Sequence, residues 1–88
     1  MHDPGYQDHH IAEQAAARQD GYSDELIDGL ENVVRIPTLR HQEINGWYGR
    51  KNEDFGGLSP REYLRGKSWE ERVRVGQYAL VRHGVLKP

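Results

Sequence analysis

An 88-residue chain without cysteine has material for one small domain and no disulfide or thiolate-zinc staple, so its stability has to come from helix packing, a partner chain, or both. Its size argues against a large enclosed active site, and no apolar stretch approaches the roughly 20 residues needed to cross a bilayer. With no basic-then-apolar leader either, the expected setting is the reducing cytoplasm.

The formal charge of −2 conceals a segregation. Residues 1–34 carry eight acids against one base, Arg18, a balance of −7, while residues 35–88 carry eleven bases against six acids, a balance of +5. The simplest reading lays the acidic segment against the basic remainder, within one molecule or a homodimer. The functional reading is long-range attraction of the basic half to an acidic partner.

In chain order, residues 1–10 show no periodicity and few apolar groups, which predicts a mobile tail. The Ala-rich stretch Ile11–Arg18 predicts a weakly docked helix, so residues 1–22 read as a flexible acidic segment and 23–88 as the helical domain. Ser23 is a candidate cap for an amphipathic helix over 24–34, in which Leu26, Ile27, Leu30, Val33 and Val34 recur at helical spacing. Ile36-Pro37 ends it, because a residue before proline is pushed out of the α region. A second helix is expected from Pro37 or Thr38 to about Tyr48 with Leu39, Ile44 and Trp47 inward, followed by a loop over 49–58. Ser59-Pro60-Arg61-Glu62 then supplies a cap, a proline at the first helical position and a return carboxylate, opening a short helix closed by Gly66. Ser68 and Glu71 repeat that logic for a helix over 69–83, stopped by Gly84, with Trp69, Val73, Gly76, Ala79, Leu80 and His83 on its core face. Little reads as strand. The expected fold is all-α, a bundle of four or five short helices.

The stretch from Trp47 through Asn52-x-x-Phe55-Gly56-Gly57-x-Ser59-Pro60-x-Glu62-x-Leu64, followed by a helix with Val73, resembles the toxin-binding domain of the Xre, MbcA and ParS type antitoxins. The resemblance covers about the last 40 residues. It implies a small helical domain that binds and neutralises a RES-type toxin, an enzyme acting on NAD or ADP-ribose, with the chain's C-terminal region near the toxin's active site. The acidic first 34 residues would repel phosphates, so operator binding does not follow from it.

Individual residues have a structural reading beside the functional one. Trp47, Trp69 and Phe55 are most simply core anchors, with Gly56 and Gly57 serving backbone geometry and Asn52, Ser59, Pro60 and Leu64 completing the corner. On the outer face of the last helix, Glu71, Val75, Tyr78 and Arg82 align as a candidate partner-binding strip, joined by Arg61 and Arg65 and by the chain end Val85, Leu86, Lys87 and Pro88. Arg72 falls inside the core arc and needs an acid, for which the N-terminal segment is the source. His9 and His10 beside Asp8 and Glu13 could meet a divalent ion, but such a pair in a tail is ordinarily incidental, and no metal or cofactor is expected. With no thiol, serines committed to caps and no histidine-carboxylate arrangement, no catalytic residue is expected. The reading is a non-enzymatic module that binds another protein. Its rivals are a nucleic-acid regulator reading bases through Arg40, His41, Gln42, Asn45 and Arg50 on the helix at 38–50, and a homo-oligomeric phage or assembly protein.

Overall fold

The computed structural model describes residues 5–87. The chain is α+β rather than all-α, because five α-helices accompany a two-stranded antiparallel sheet. Strand β1 (Tyr6–His10) is followed by α1 (Gln14–Gln19), α2 (Asp24–Ile27), a 3-10 turn (Leu30–Asn32), β2 (Val33–Pro37), α3 (Thr38–Gly49), a second 3-10 turn (Glu53–Phe55), α4 (Pro60–Tyr63) and α5 (Trp69–Arg82).

The sheet replaces two sequence expectations. The helix expected over 24–34 stops at Ile27, where the chain turns through Gly29 into the β-branched run Val33-Val34-Arg35-Ile36, which favours an extended backbone. Only Ile27 of its apolar face is fully buried; Leu30 is 94% exposed. Of the tail expected to be mobile, residues 1–4 lie outside the described residues and Tyr6–His10 pair with that run, Gln7 opposite Ile36 and His9 opposite Val34. The pairing is made by backbone groups, which is why polar residues suffice on β1. Asn32 ties the ends together: its side chain accepts from Ala12 N–H at 2.8 Å and donates to the carbonyls of Ala12 at 3.2 Å and Ile27 at 2.9 Å, while its own carbonyl accepts from Ile11 N–H at 2.8 Å.

One core unites the sheet with the helices: Ile11, Ile36, Ile44, Trp47, Tyr48, Leu64, Val75, Ala79 and Leu80. The first 22 residues are therefore part of the packed body as far as they are described, with Ile11, Ala12 and Ala17 buried. Leu39, expected inward, is 65% exposed, because α3 turns Ile44, Trp47 and Tyr48 to the core and its first turn lies beyond it. On α5 the buried arc is Arg72, Val75, Gly76, Ala79 and Leu80. It is rotated from the expected one, so that Trp69 and Val73 are half-buried and Val75, assigned to the partner strip, is 1% exposed.

The buried arc includes Arg72, which is 2% exposed. Its guanidinium pairs with Asp20 and donates to the carbonyls of Leu64 at 2.9 Å and Lys67 at 3.2 Å, beneath the ring of Tyr22 at 5.3 Å. The acid it needs thus comes from the N-terminal segment. Glu13 makes a second link of the same sense, accepting from Arg61 at 2.6 and 2.9 Å. The segregated charges meet within the molecule.

Candidate interaction surface

The corner between α3 and α4 is built by local hydrogen bonds. Asn52 accepts through its side chain from Asp54 N–H at 2.9 Å, and its backbone closes on Leu58 at 3.0 Å and Gly57 at 3.1 Å. The loop can close because Gly56 and Gly57 take φ of 67° and 86°, a region that side-chain-bearing residues rarely adopt. Ser59 Oγ accepts from Glu62 N–H at 3.1 Å while Glu62 accepts from Ser59 N–H at 3.0 Å, a reciprocal cap with Pro60 at the first helical position. The Ser59 N–H first, and then the Ser59 hydroxyl, hold the Glu62 carboxyl below the usual carboxylate range.

This corner packs on Trp47, which lies edge-on to Phe55 at 5.7 Å and to Tyr48 at 5.1 Å, with His83 at 6.1 Å and Tyr78 tilted against it at 5.9 Å. Its Nε1 is buried without a partner among the described residues. Trp69 does not join this hub. It lies against Tyr22 at 5.5 Å, whose hydroxyl donates to Lys67 O at 3.0 Å, so it covers the N-terminal segment.

The residues assigned to partner binding separate into three groups. Val75 is in the core, Arg61 is clamped by Glu13, and Glu71 accepts from Tyr63 Oη at 2.6 Å and from Arg74 at 2.6 and 2.7 Å. The Glu71 carboxyl is held down to about 2, by Arg74 first and Tyr63 second, and does not return to Ser68 as the capping pattern suggested; Ser68 still caps Glu71 N–H at 3.1 Å. Tyr78 is 40% exposed, and Arg82, Leu86, Lys87 and Arg65 are also exposed. Val85 is half-buried, its N–H donating to Leu80 O at 2.9 Å, so the chain folds back over the end of α5. Pro88 lies outside the described residues.

Two concavities were not legible in the sequence. The larger, about 740 Å³, lies between the N-terminal segment and α3–α4 and includes His9, Glu13, His41, Asn45, Arg61 and Arg65 in its lining. His9, 3% exposed, faces His41 with their Nδ1 atoms 3.1 Å apart, and Asn45 Nδ2 lies 3.2 Å from His41 Nε2. If the Asn45 amide donates, His41 carries its proton on Nδ1 and donates to His9 Nδ1, leaving His9 with an Nε2–H that is buried and unmatched. Among the described residues no group of three or more histidines and acids is arranged to hold a metal ion, and His10 bonds Asp28 at 2.9 Å. The second concavity, about 670 Å³, runs between Leu26 and Leu30 on one side and Trp69 and Val73 on the other.

Burial first, then the neighbouring His41 and His10, pushes His9 down from 6.5 to about 4. Because the folded value lies below the unfolded one, neutral His9 stabilises the fold fully above pH 6.5, and that stabilisation is lost as pH falls towards 4. A loss of about 2 kcal/mol is expected across this interval. Urea unfolding at pH 7 and pH 4.5 checks it: His9→Gln should flatten the difference, and an unchanged slope would remove His9 as its source.

The fold and surface define a small α+β domain in which an N-terminal β-ribbon is bolted to a capped helical corner. Compared with known proteins, the chain matches no family model, no curated protein and no solved structure. No helix among the described residues is long and apolar enough to cross a membrane.

Proposed function

We propose that this chain is a non-enzymatic protein-interaction module of the antitoxin kind, which binds a second protein stoichiometrically through the outer strip of α5 and the chain end behind it. The observation that carries the reading is Tyr78, an aromatic side chain 40% exposed on a rigid helix and braced from behind by Trp47 at 5.9 Å. Arg82 stands one turn further on, with Leu86 and Lys87 beyond. Tyrosine and arginine on rigid backing are the residue types that dominate binding energy at protein interfaces, and a braced ring loses little side-chain freedom on contact.

The partner class is a RES-type enzyme acting on NAD or ADP-ribose, supported by the Trp47 to Leu64 pattern. In the test, the purified chain is titrated against such an enzyme encoded beside it while NAD consumption is followed. Inhibition should saturate near one chain per enzyme, and the Tyr78→Ala, Arg82→Glu double variant should weaken it by about 100-fold while still giving a cooperative unfolding transition. No complex with that enzyme would refute the antitoxin reading, and unchanged inhibition by the double variant would refute the assigned surface.

A further inference from the structure

We infer that the groove between the Leu30 turn and α5 is a second docking site, taking a basic amphipathic segment of another protein. Leu30 stands at its lip, 94% exposed, with Leu26 beside it at 41%. Neither can fold inward, because the backbone beneath them is held from the core side: Asn32 N–H donates to Gly29 O at 2.9 Å, and the Asn32 side chain holds Ile27 O at 2.9 Å. The opposite wall is the half-buried pair Trp69 and Val73, one helical turn apart on α5. Two apolar walls facing each other across a cleft accept a segment that brings apolar side chains of its own at helical spacing.

Charge selects the occupant. Glu25, Glu31 and Glu70 rim the groove, and none of them has an ion pair among the described residues. Arg74, the one cation in the lining, is held by Glu71 at 2.6 and 2.7 Å and cannot offset them. Three unopposed carboxylates around an apolar floor attract lysines and arginines flanking apolar anchors and repel an acidic segment. A second copy of this chain fits less well. Its exposed apolar residues beside bases, Leu39 next to Arg40 and Leu86 next to Lys87, offer one anchor each, and Arg40 is already bonded to Glu43 at 2.8 Å. This site is separate from the Tyr78 strip and stands or falls independently of it.

The test uses the full chain and a labelled synthetic helix of about 15 residues, carrying two leucines one turn apart among lysines, followed by fluorescence anisotropy. Two control peptides replace the leucines with serine or the lysines with glutamate. Saturable binding of the first peptide alone is expected. It should weaken by about tenfold or more with Leu30→Asp, a change at a solvent-facing position that spares the fold, and also with the Glu25→Gln, Glu31→Gln, Glu70→Gln triple variant. Equal binding of the serine peptide, or binding indifferent to Leu30→Asp, would overturn the assignment. So would a dimer in light scattering that Leu30→Asp dissolves, since the groove would then belong to a second copy.

Discussion

Gly76→Ala is expected to lower the unfolding midpoint by about 10 °C or more, although alanine is the better helix former. A Cβ at Gly76 would sit 2.7 Å from the carbonyl carbon of Ile11 and 2.8 Å from its Cγ2, and closer still to the carbonyl oxygen. The obstacle is backbone, and it is pinned: Ile11 N–H donates to Asn32 O at 2.8 Å and Ile11 O accepts from Tyr48 Oη at 3.3 Å. Forcing the strand end away from α5 would cost about 3–4 kcal/mol against a propensity gain of about 1 kcal/mol, a net loss of about 2–3 kcal/mol. For a domain of this size that corresponds to about 8–24 °C. Gly46→Ala is the internal control. The nearest atoms there belong to the end of the Arg50 side chain, at 3.0 Å, which can move aside, so a neutral to slightly raised midpoint is expected. Thermal unfolding followed by circular dichroism distinguishes the two, and equal midpoints for both variants would show that Ile11 does not press on α5.

Arg72→Ala is expected to destabilise by about 3–4 kcal/mol. Truncation removes the guanidinium's bonds to the carbonyls of Leu64 and Lys67, takes from Asp20 the cation it bonds, and opens a void beneath Tyr22. Arg72→Lys should recover only part of the loss, because one ammonium cannot reproduce a fork that reaches two carbonyls and a carboxylate together. The same junction gives an acid-side signature. Asp20 is held below the usual carboxylate range, first by the N–H of Gly66 at 3.0 Å and then by Arg72. A lowered folded value means that its contribution is complete above pH 3.8 and vanishes as pH drops further. Denaturant unfolding of the two variants at neutral pH measures the first effect; equal stability of Arg72→Lys and the parent would argue that the fork geometry is idle.

What could be read from the residues was what they decide locally. Ser59 with Glu62, and Ser68 ahead of Trp69, mark helix starts through bonds to their own neighbours, and both appear where the pattern placed them. The acid for Arg72 was foreseeable because charge segregation concentrates the carboxylates in the N-terminal segment. The sheet was not. β1 carries polar residues that pair through backbone, while Leu26 to Val34 satisfies helical spacing by coincidence and is broken at Gly29. Gly76 reads as a weak helix residue until Ile11 is seen against it, and His9 reads as a tail residue until it meets His41, 32 positions away. Val75 reads as an outer-strip residue until the buried arc of α5 is seen to extend round to it. The groove beside Leu30 stayed hidden because an exposed leucine and a core leucine look alike in a pattern.

The Asp20–Arg72 pair joins residues 52 positions apart. During synthesis the first third of the chain therefore emerges long before the helix that completes it, and Ile11 and Asp20 wait beside an unfinished core until translation has passed residue 76. Stalling the ribosome between residues 40 and 70 should leave a nascent chain that proteases cut freely at its acidic end, whereas release beyond α5 should seal that end at once.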